Sequence, residues 1–174
     1  ADNTARIWDW TAPDPELHRF LHNQDVRAIA FSPNGEQLAT LSGAGLLQPT
    51  LDDRVQVWSV SDGRIVLELP DQAWLNLAGF SADGQHIATT SRTQGIQIWH
   101  VATGEEVSRL SLAEGIRSGH FSPTAPMVGV LGTGNQVWLW SWRAEDLIQQ
   151  ACDRLSQLPS QQEPLVLPRA CRDR

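Results

Sequence analysis

The sequence is poor in positive charge and contains no lysine. All 13 basic residues are arginine, and the 20 acidic residues outnumber them to give a formal net charge of −7. Proteins that track nucleic-acid or anionic lipid phosphates need clusters of basic side chains. The charge balance therefore argues against a nucleic-acid or membrane-surface partner.

Long apolar runs are also absent. No stretch approaches the roughly 18 consecutive apolar residues that a membrane-spanning helix requires. The sequence thus predicts a protein that does not cross a bilayer, and a cytoplasmic location is the expectation.

Cysteine is scarce, with only Cys152 and Cys171 in the chain. Their separation fits no zinc-binding pattern. They can either form a disulfide that closes a loop at the C-terminus or remain as two thiols, as a reducing cytosol favours. No metal or cofactor is expected.

Patterns typical of an active site are missing as well. Four of the five histidines are scattered along the predicted strands, at His18, His86, His100 and His120. No serine lies in a nucleophile elbow. The glycine clusters at 43–45 and 132–134 are not followed by a helix or a lysine, so they are not phosphate loops. The sequence predicts no catalytic residues.

What the sequence does have is a recurring tryptophan. Each one ends a short alternating strand, in the order ARIW, VQVW, IQIW and VWLW, at Trp8, Trp58, Trp99 and Trp140. The last three are 41 residues apart and the first interval is 50, with the extra residues placed within 42–53. A second phrase, seen as IAFSPNG, LAGFSADG and GHFSP, recurs in phase with them. A fixed period near 40 indicates one supersecondary unit repeated along the chain.

Each unit contains four predicted strands, which in the second unit are 26–31, 37–42, 54–59 and 64–69. Asn34-Gly35 and Asp62-Gly63 between them supply the turn residues that tight hairpins need. Apolar and polar residues alternate within the strands. Four antiparallel strands with this period are typical of a β-propeller blade, and the predicted fold class is all-β.

The register divides residues 1–142 into two complete and two partial blades, which are 1–21 (partial), 22–70, 71–111 and 112–142 (partial). A closed propeller needs about four to eight blades. Ring closure is therefore expected to come from blades that precede residue 1 or from a second copy of the chain.

Residues 143–174 form a separate C-terminal segment in this scheme. Helical spacing predicts an amphipathic helix with one apolar stripe, made of Leu147, Ile148, Ala151, Leu155 and Leu158. Pro159 ends the helix. Its apolar face is expected to cover the last blade, because Trp138 replaces the polar residue found at that position in the other repeats. The remainder is expected to be extended.

This pattern resembles the WD-repeat β-propeller family over residues 1–142. The second repeat carries the marks of the family, and the resemblance implies a structural hydrogen-bond network of His22, Thr40, Asp52 and Trp58. In the next two repeats the histidine position holds Asp71 and Leu112, and the aspartate position holds Thr93 and Gly134. Those blades are expected to rely on packing. The C-terminal tail resembles the ends of multi-repeat WD proteins of cyanobacteria.

The resemblance also implies a binding face at one end of the blades. The register assigns to it Asp25, Arg27, Trp74, Asn76, Arg92, Gly115 and Arg117, together with Leu51 and Thr133. Trp74 lies outside the tryptophan register, and it is expected either to meet a partner or to fold over its own blade as an apolar plug. The 46–52 insertion is either a recognition loop beside this face or a tolerated surface insertion.

The function expected from these features is a non-enzymatic protein–protein interaction scaffold, the C-terminal part of a WD-repeat propeller. Its partner would be a protein or a peptide. One alternative is the ligand-sensing propeller of a larger signalling NTPase of the NACHT or AP-ATPase type, which rests on resemblance alone. A propeller enzyme with a site in the central channel is the third hypothesis, and the innermost strands offer it little beyond Arg27, Arg117 and His120.

Overall fold

The computed structural model is all-β over the propeller region, as the sequence predicts. It describes residues 2–43, 53–69, 75–91, 94–112, 115–143, 146–149 and 152–153. The described strands form four antiparallel sheets, numbered here sheet 1 to sheet 4 in chain order.

The four sheets differ in their number of strands. Sheet 1 has two strands, β1 (Thr4–Trp8) and β2 (Glu16–Leu21). Sheet 2 has four, β3 (Val26–Phe31), β4 (Gln37–Ser42), β5 (Arg54–Ser59) and β6 (Ile65–Glu68). Sheet 3 has four, β7 (Leu75–Phe80), β8 (His86–Ser91), β9 (Gly95–His100) and β10 (Glu106–Leu110). Sheet 4 has three, β11 (Ile116–Phe121), β12 (Met127–Gly132) and β13 (Val137–Ser141).

Within each sheet the strands are hydrogen-bonded in sequence order, so every connection is a hairpin. The turn from the first to the second strand of sheet 2 passes through Gly35, and that of sheet 3 through Gly84, with φ of 73° and 70°. Side chains other than glycine rarely adopt these values, which explains why Asn-Gly and Asp-Gly recur at this place. Ser32 and Ser81 accept a hydrogen bond from the backbone across the same turns, from Gln37 and His86.

The sheets pack face to face in series. Sheets 1 and 2 enclose one apolar cluster around Phe20 and Trp58, and sheets 2 and 3 enclose the next around Val57 and Ile87. Sheets 3 and 4 enclose a third around Ile98 and Val130. Strand alternation produces this arrangement, because each sheet inside the series has one apolar face for the sheet before it and another for the sheet after it.

The first strands of sheets 2, 3 and 4 are neighbours, since β3 contacts β7 and β7 contacts β11. Their N-terminal ends therefore lie side by side. This row of strand ends positions the candidate site.

The described residues do not support the C-terminal helix as the sequence predicts it. Helical backbone is present at 146–149 and at 152–153, and the rest of the predicted helix lies outside the described residues. Leu147 and Ile148, two members of the predicted apolar stripe, are 48% and 40% exposed rather than packed on a sheet. None of the helices in the described part of the chain is long and apolar enough to span a bilayer.

Trp138 is partly covered even without a helix packed against it. Its ring lies against Gly132 of the neighbouring strand, where an added Cβ would come within 2.5 Å of the ring. The glycine makes room for the indole, so Trp138 packs within its own sheet and is half-buried.

Candidate interaction surface

A buried tryptophan–threonine hydrogen bond recurs inside sheets 2 and 3. Trp58 Nε1 donates to Thr40 Oγ1 at 2.9 Å, and Trp99 Nε1 donates to Thr89 Oγ1 at 3.0 Å. Each bond ties the third strand of its sheet to the second. The expectation that the third repeat holds its tryptophan by packing alone is therefore wrong for Trp99. Comparison of HIATTS with QLATLS would have revealed the matching threonine.

Sheet 4 lacks the tryptophan–threonine hydrogen bond, and the pairing of its second and third strands explains why. Thr40 lies opposite Gln56 and Thr89 opposite Gln97, whereas the residue opposite Trp138 is Val130. Trp140 therefore has no hydroxyl at the corresponding place. In this sheet, packing replaces the hydrogen bond, as the sequence predicts for the fourth repeat.

His22 lies beside the Trp58 ring at the junction of sheets 1 and 2. The two rings meet edge to face with their centroids 5.5 Å apart. Burial lowers the pKa of His22, so the ring is neutral near neutral pH. With Gln24, Arg54 and Gln56 it lines a polar cavity of about 150 Å³. Asp52 lies outside the described residues, and its place in the network stays a prediction.

The neighbouring residue, Asp53, is a buried acidic centre that sequence reasoning missed. Its side chain is 6% exposed and forms an ion pair with Arg27, with Nη2 and Oδ1 2.6 Å apart. The other carboxylate oxygen accepts the backbone N–H of Leu75 at 2.9 Å. Asp53 thus connects sheet 2 to the first residue of sheet 3. In the sequence, the one indication of Asp53 was that it lies next to Asp52. The spacing to the strand tryptophan favoured Asp52 for the hydrogen-bond network, so Asp53 was passed over.

Space for the Asp53 carboxylate depends on a glycine. A Cβ built at Gly43 would lie 1.9 Å from Asp53 Oδ1. No side chain fits there unless the carboxylate moves. Gly43 is therefore required by the close approach of the ion pair, and substitution would disturb the connection between the two sheets.

Besides Thr133, which directly follows β12 and is exposed beside the start of β11, three of the residues predicted to bind a partner are exposed at the same end of neighbouring strands. Asp25 immediately precedes β3, Asn76 is the second residue of β7, and Arg117 is the second residue of β11. We call the surface formed by Asp25, Asn76 and Arg117 the upper face. Gly115 borders it and is half-buried.

The remaining predicted residues of this surface differ from those three. Arg27 is directed to Asp53, and its side chain is 21% exposed. Its main contact is therefore internal. Trp74 and Arg92 lie outside the described residues, as does Leu51, so their part in the surface stays a prediction.

The repeated strand tryptophans are not equally covered. Trp58 and Trp99 are 7% and 6% exposed, Trp140 is half-buried, and Trp8 is 55% exposed. The buried pair belongs to sheets that have a neighbour on both sides. The exposed one belongs to sheet 1, which is preceded by no described sheet.

Within the part of the chain that the structure describes, no group of three or more His, Cys, Asp or Glu side chains could hold a metal ion. Cys152 lies in the helical piece at 152–153 and is disulfide-bonded, so the alternative of two free thiols is wrong for it. Cys171 lies outside the described residues.

Comparison with known proteins finds a family match for one repeat. Residues 15–59 match the family described as WD domain, G-beta repeat. Angio-associated migratory cell protein of Homo sapiens is 27% identical over 128 residues, which are 73% of this chain and 28% of that protein. Apoptotic protease-activating factor 1 of Rattus norvegicus is 31% identical over 116 residues, 60% of this chain and 8% of that protein. The chain therefore spans less than a third of the length of these relatives.

The fold is shared with solved structures at low sequence identity. A chain in a crystal structure of the Mitotic Checkpoint Complex superposes with a TM-score of 0.64 and 18% identity, covering 82% of this chain and 44% of that one. At this identity the likeness concerns the fold alone. The matched repeat and the relatives support a WD-repeat propeller, and the antiparallel sheets are consistent with the blades of such a fold.

Proposed function

We propose that the chain is a non-enzymatic protein-interaction scaffold, the C-terminal part of a WD-repeat propeller, and that it binds a protein or peptide partner on its upper face. The observation that carries the proposal is the row of exposed polar residues at one end of β3, β7 and β11. Binding residues held on rigid strands of a scaffold lose little conformational entropy when a partner docks.

The charges of the upper face suit a polar peptide. Asp25 and Arg117 offer one charge of each sign, and Asn76 between them can both donate and accept hydrogen bonds. Arg117 makes no ion pair with any described residue, so its guanidinium is available to a carboxylate of the partner. Arginine is among the residues that most often dominate binding energy at interfaces.

Peptide selection on the intact chain tests this proposal. Peptides would be selected from a displayed library, and their affinity measured by fluorescence polarisation for the wild type and for Arg117→Glu. Reversing this charge is expected to weaken binding by about tenfold or more, since a charged hydrogen bond contributes about 1.5–3 kcal/mol.

Arg64→Glu is the matched control, because it makes the same change of charge as Arg117→Glu at a different place. The Arg64 side chain is 83% exposed, in a turn at the opposite end of the strands. Its affinities should stay at the wild-type value. Equal binding by wild type and Arg117→Glu would remove the upper face from the proposal. The double variant Trp74→Ala with Arg117→Glu extends the test to the predicted part of the surface.

The other hypotheses have less support. The matched repeat and the relatives do not favour the NTPase-sensor alternative over a scaffold. A central-channel enzyme would need acids, histidines or a metal on the inner strands, and Arg27, one of its few candidate residues, is engaged with Asp53. Completion of the ring by upstream blades or by a second copy, a cytoplasmic location and a cyanobacterial type of tail remain part of the proposal.

A further inference from the structure

Sheet 1 has a free edge at the place where sheets 2 and 3 have a second strand. Its strands β1 and β2 correspond to the third and fourth strands of those sheets, because Trp8 ends β1 as Trp58 ends β5 and Trp99 ends β9. In sheets 2 and 3 the third strand is also paired with β4 or β8. Among the described residues, no strand occupies this side of β1.

Backbone groups of β1 are directed toward the free edge. The N–H of His22 donates to the carbonyl oxygen of Asn3 at 2.9 Å, which continues the pairing of β1 with β2. Hydrogen-bonded pairs alternate along an antiparallel ladder, so Ala5 bonds to β2 in the same way. The N–H and C=O groups of Thr4 and Arg6 therefore point to the open side. Such an edge is a template for the addition of a further strand.

Two apolar side chains of sheet 2 lie uncovered next to this edge. Ile29 and Phe31 of β3, a strand that contacts β1, are 59% and 50% exposed. Leu38, directly opposite Phe31 and on the same face, belongs to the cluster between sheets 1 and 2. At the equivalent place in sheet 3, Phe80 is 8% exposed and shares its cluster with Ala39 of β4. A strand beside β1 would cover Phe31 as β4 helps to cover Phe80.

Sheets 2 and 3 show which side chains the added strand must carry. Their second strands read QLATLS and HIATTS. In both, the threonine accepts a hydrogen bond from the indole N–H of the tryptophan that ends the third strand. The threonine lies opposite the residue two places before that tryptophan, which in β1 is Arg6. Trp8 has the same register and is 55% exposed, so an aliphatic-Ala-Thr strand would bring an acceptor to its indole.

The other side of β1 is already built like its counterparts. Arg6 and Glu16 of β2 form an ion pair with Nη1 and Oε2 3.6 Å apart. In sheet 3, Gln97 donates to Glu106 of the fourth strand at 3.0 Å. The third and fourth strands of sheet 1 are therefore linked through the same pair of positions, and the free edge is presented by a preformed sheet.

The chain has no spare strand of the required sequence. An aliphatic-Ala-Thr triplet occurs at 38–40, 87–89 and 101–103. The first two lie in β4 and β8, which are paired on both sides, and the third lies in the turn after β9. A second copy would have to break one of its own sheets to supply the strand. The occupant that fits is therefore a segment of a different polypeptide.

We propose that the free edge of β1 is a strand-docking site for a partner protein. An extended segment with the sequence aliphatic-Ala-Thr-x-Ser pairs antiparallel with β1, accepts the Trp8 indole N–H on its threonine hydroxyl and packs its other face over Ile29 and Phe31. The site does not depend on binding at the upper face, so either can fail while the other stands.

The test follows the full chain, labelled with ¹⁵N, by nuclear magnetic resonance during titration with a peptide. The probe is acetyl-QLATLS-amide, and acetyl-QLAVLS-amide is the matched control, because valine has the shape of threonine without the hydroxyl. Loss of one indole signal in Trp8→Phe identifies Trp8. The threonine peptide should shift this signal in a saturable manner, and the valine peptide should bind about two- to tenfold more weakly. With the threonine peptide bound, the amide protons of Thr4 and Arg6 should exchange more slowly with solvent.

Two proline variants separate strand addition from general contact with the surface. Arg6→Pro removes an N–H that the added strand would bind, at an edge position where proline is tolerated, and should abolish the shift. Glu68→Pro is the control on the outer edge of sheet 2. Its N–H also points outward, because the neighbouring Leu69 N–H donates to Val55 at 2.9 Å. Glu68→Pro should leave the affinity at the wild-type value.

A Trp8 signal that does not move, or two peptides of equal affinity, would overturn the proposal. Unchanged binding in Arg6→Pro would do the same. Thr4 and Arg6 amides that are already protected without peptide, in a chain that sediments as a dimer, would show that a second copy covers the edge and would also overturn it. The dispersion of the amide spectrum shows whether each variant is folded.

Discussion

Trp10 and Trp142 occupy the same place in the repeat and have opposite environments. Each follows by two residues the tryptophan that ends a third strand, Trp8 or Trp140. Trp142 is 5% exposed, between His86 of sheet 3 and Phe121 of sheet 4, whereas Trp10 is 91% exposed. Sheet 1 has two described strands and no described sheet before it. The neighbouring sheet, rather than the residue or its register, determines whether this tryptophan is buried.

Burial also differs between sheet 3, which has a sheet on each side, and sheet 4, which is the last described sheet. The residue two positions before the end of the third strand is Ile98 in sheet 3 and Leu139 in sheet 4. Ile98 is fully buried against sheet 4, and Leu139 is 73% exposed on the open side of sheet 4. Sheets in the series stabilise one another through such contacts, as expected for a repeat protein in which each unit contacts only its neighbours.

The largest expected effect comes from the two tryptophans. Trp142→Ala should lower the free energy of unfolding by about 3–5 kcal/mol, the cost of removing a buried large aromatic side chain. Trp10→Ala should change it by no more than about 0.5 kcal/mol, as for other exposed positions. Urea denaturation followed by circular dichroism measures both. Similar losses in the two variants would show that Trp10 is covered in solution, for example by a second copy of the chain.

The two aliphatic residues give a second, smaller contrast. Ile98→Ala should cost about 2–5 kcal/mol through lost burial and the cavity left behind, and Leu139→Ala about 0.5 kcal/mol or less. The same denaturation experiment applies, repeated over a range of protein concentrations. A loss for Leu139→Ala that grows with concentration would indicate that copies of the chain pack against the open side of sheet 4.

The strands and their turns could be predicted closely because their signals are local. The predicted strands 26–31, 37–42 and 54–59 coincide with β3, β4 and β5, and only the last strand of that unit is shorter than predicted, at Ile65–Glu68. Alternation of apolar residues and Asn-Gly or Asp-Gly turns act within a few residues. Such features need no knowledge of the rest of the fold.

Contacts between strands were harder to predict. Thr89 could have been matched to Thr40 by register, but the pairing of Arg27 with Asp53 depends on a carboxylate 26 positions along the chain and on the space above Gly43. Register alone assigned Arg27 to the binding face together with Arg117. The difference between these two arginines lies in what the neighbouring strand places beside them, which a single sequence does not show.

Removal of the Asp53 charge tests the pairing that distinguishes Arg27 from Arg117. Asp53→Asn should cost about 1–3 kcal/mol, because the guanidinium of Arg27 loses its partner in a mostly buried place. The comparison is Glu106→Gln, which removes one side of the exposed pair with Arg109 and should cost about 1 kcal/mol or less. Equal losses would mean that the Asp53 pair is no more protected from water than a surface pair.

The smallest expected effect is that the stability of the protein depends on pH, because two histidines are buried at the junctions between sheets. Burial lowers the pKa of His22 at the junction of sheets 1 and 2 and that of His86 at the junction of sheets 3 and 4. Around His86, the Asp83 carboxylate opposes this shift, and the charges of His100 and Arg143 add to it. The folded state therefore binds protons less readily than the unfolded chain, whose histidines titrate near 6.5.

Because the unfolded chain takes up more protons, stability should fall as the pH drops through and below that value. Urea denaturation midpoints measured from about pH 7.5 down to about pH 5.5 should decrease, and the decrease should be smaller in His86→Gln, which cannot be protonated in this range. Most aspartates and glutamates stay ionised over the same interval, so they contribute little to the slope. A midpoint that stays constant or rises on acidification would show that His22 and His86 are as accessible to water in the folded protein as in the unfolded chain, and that the junctions between sheets do not exclude it.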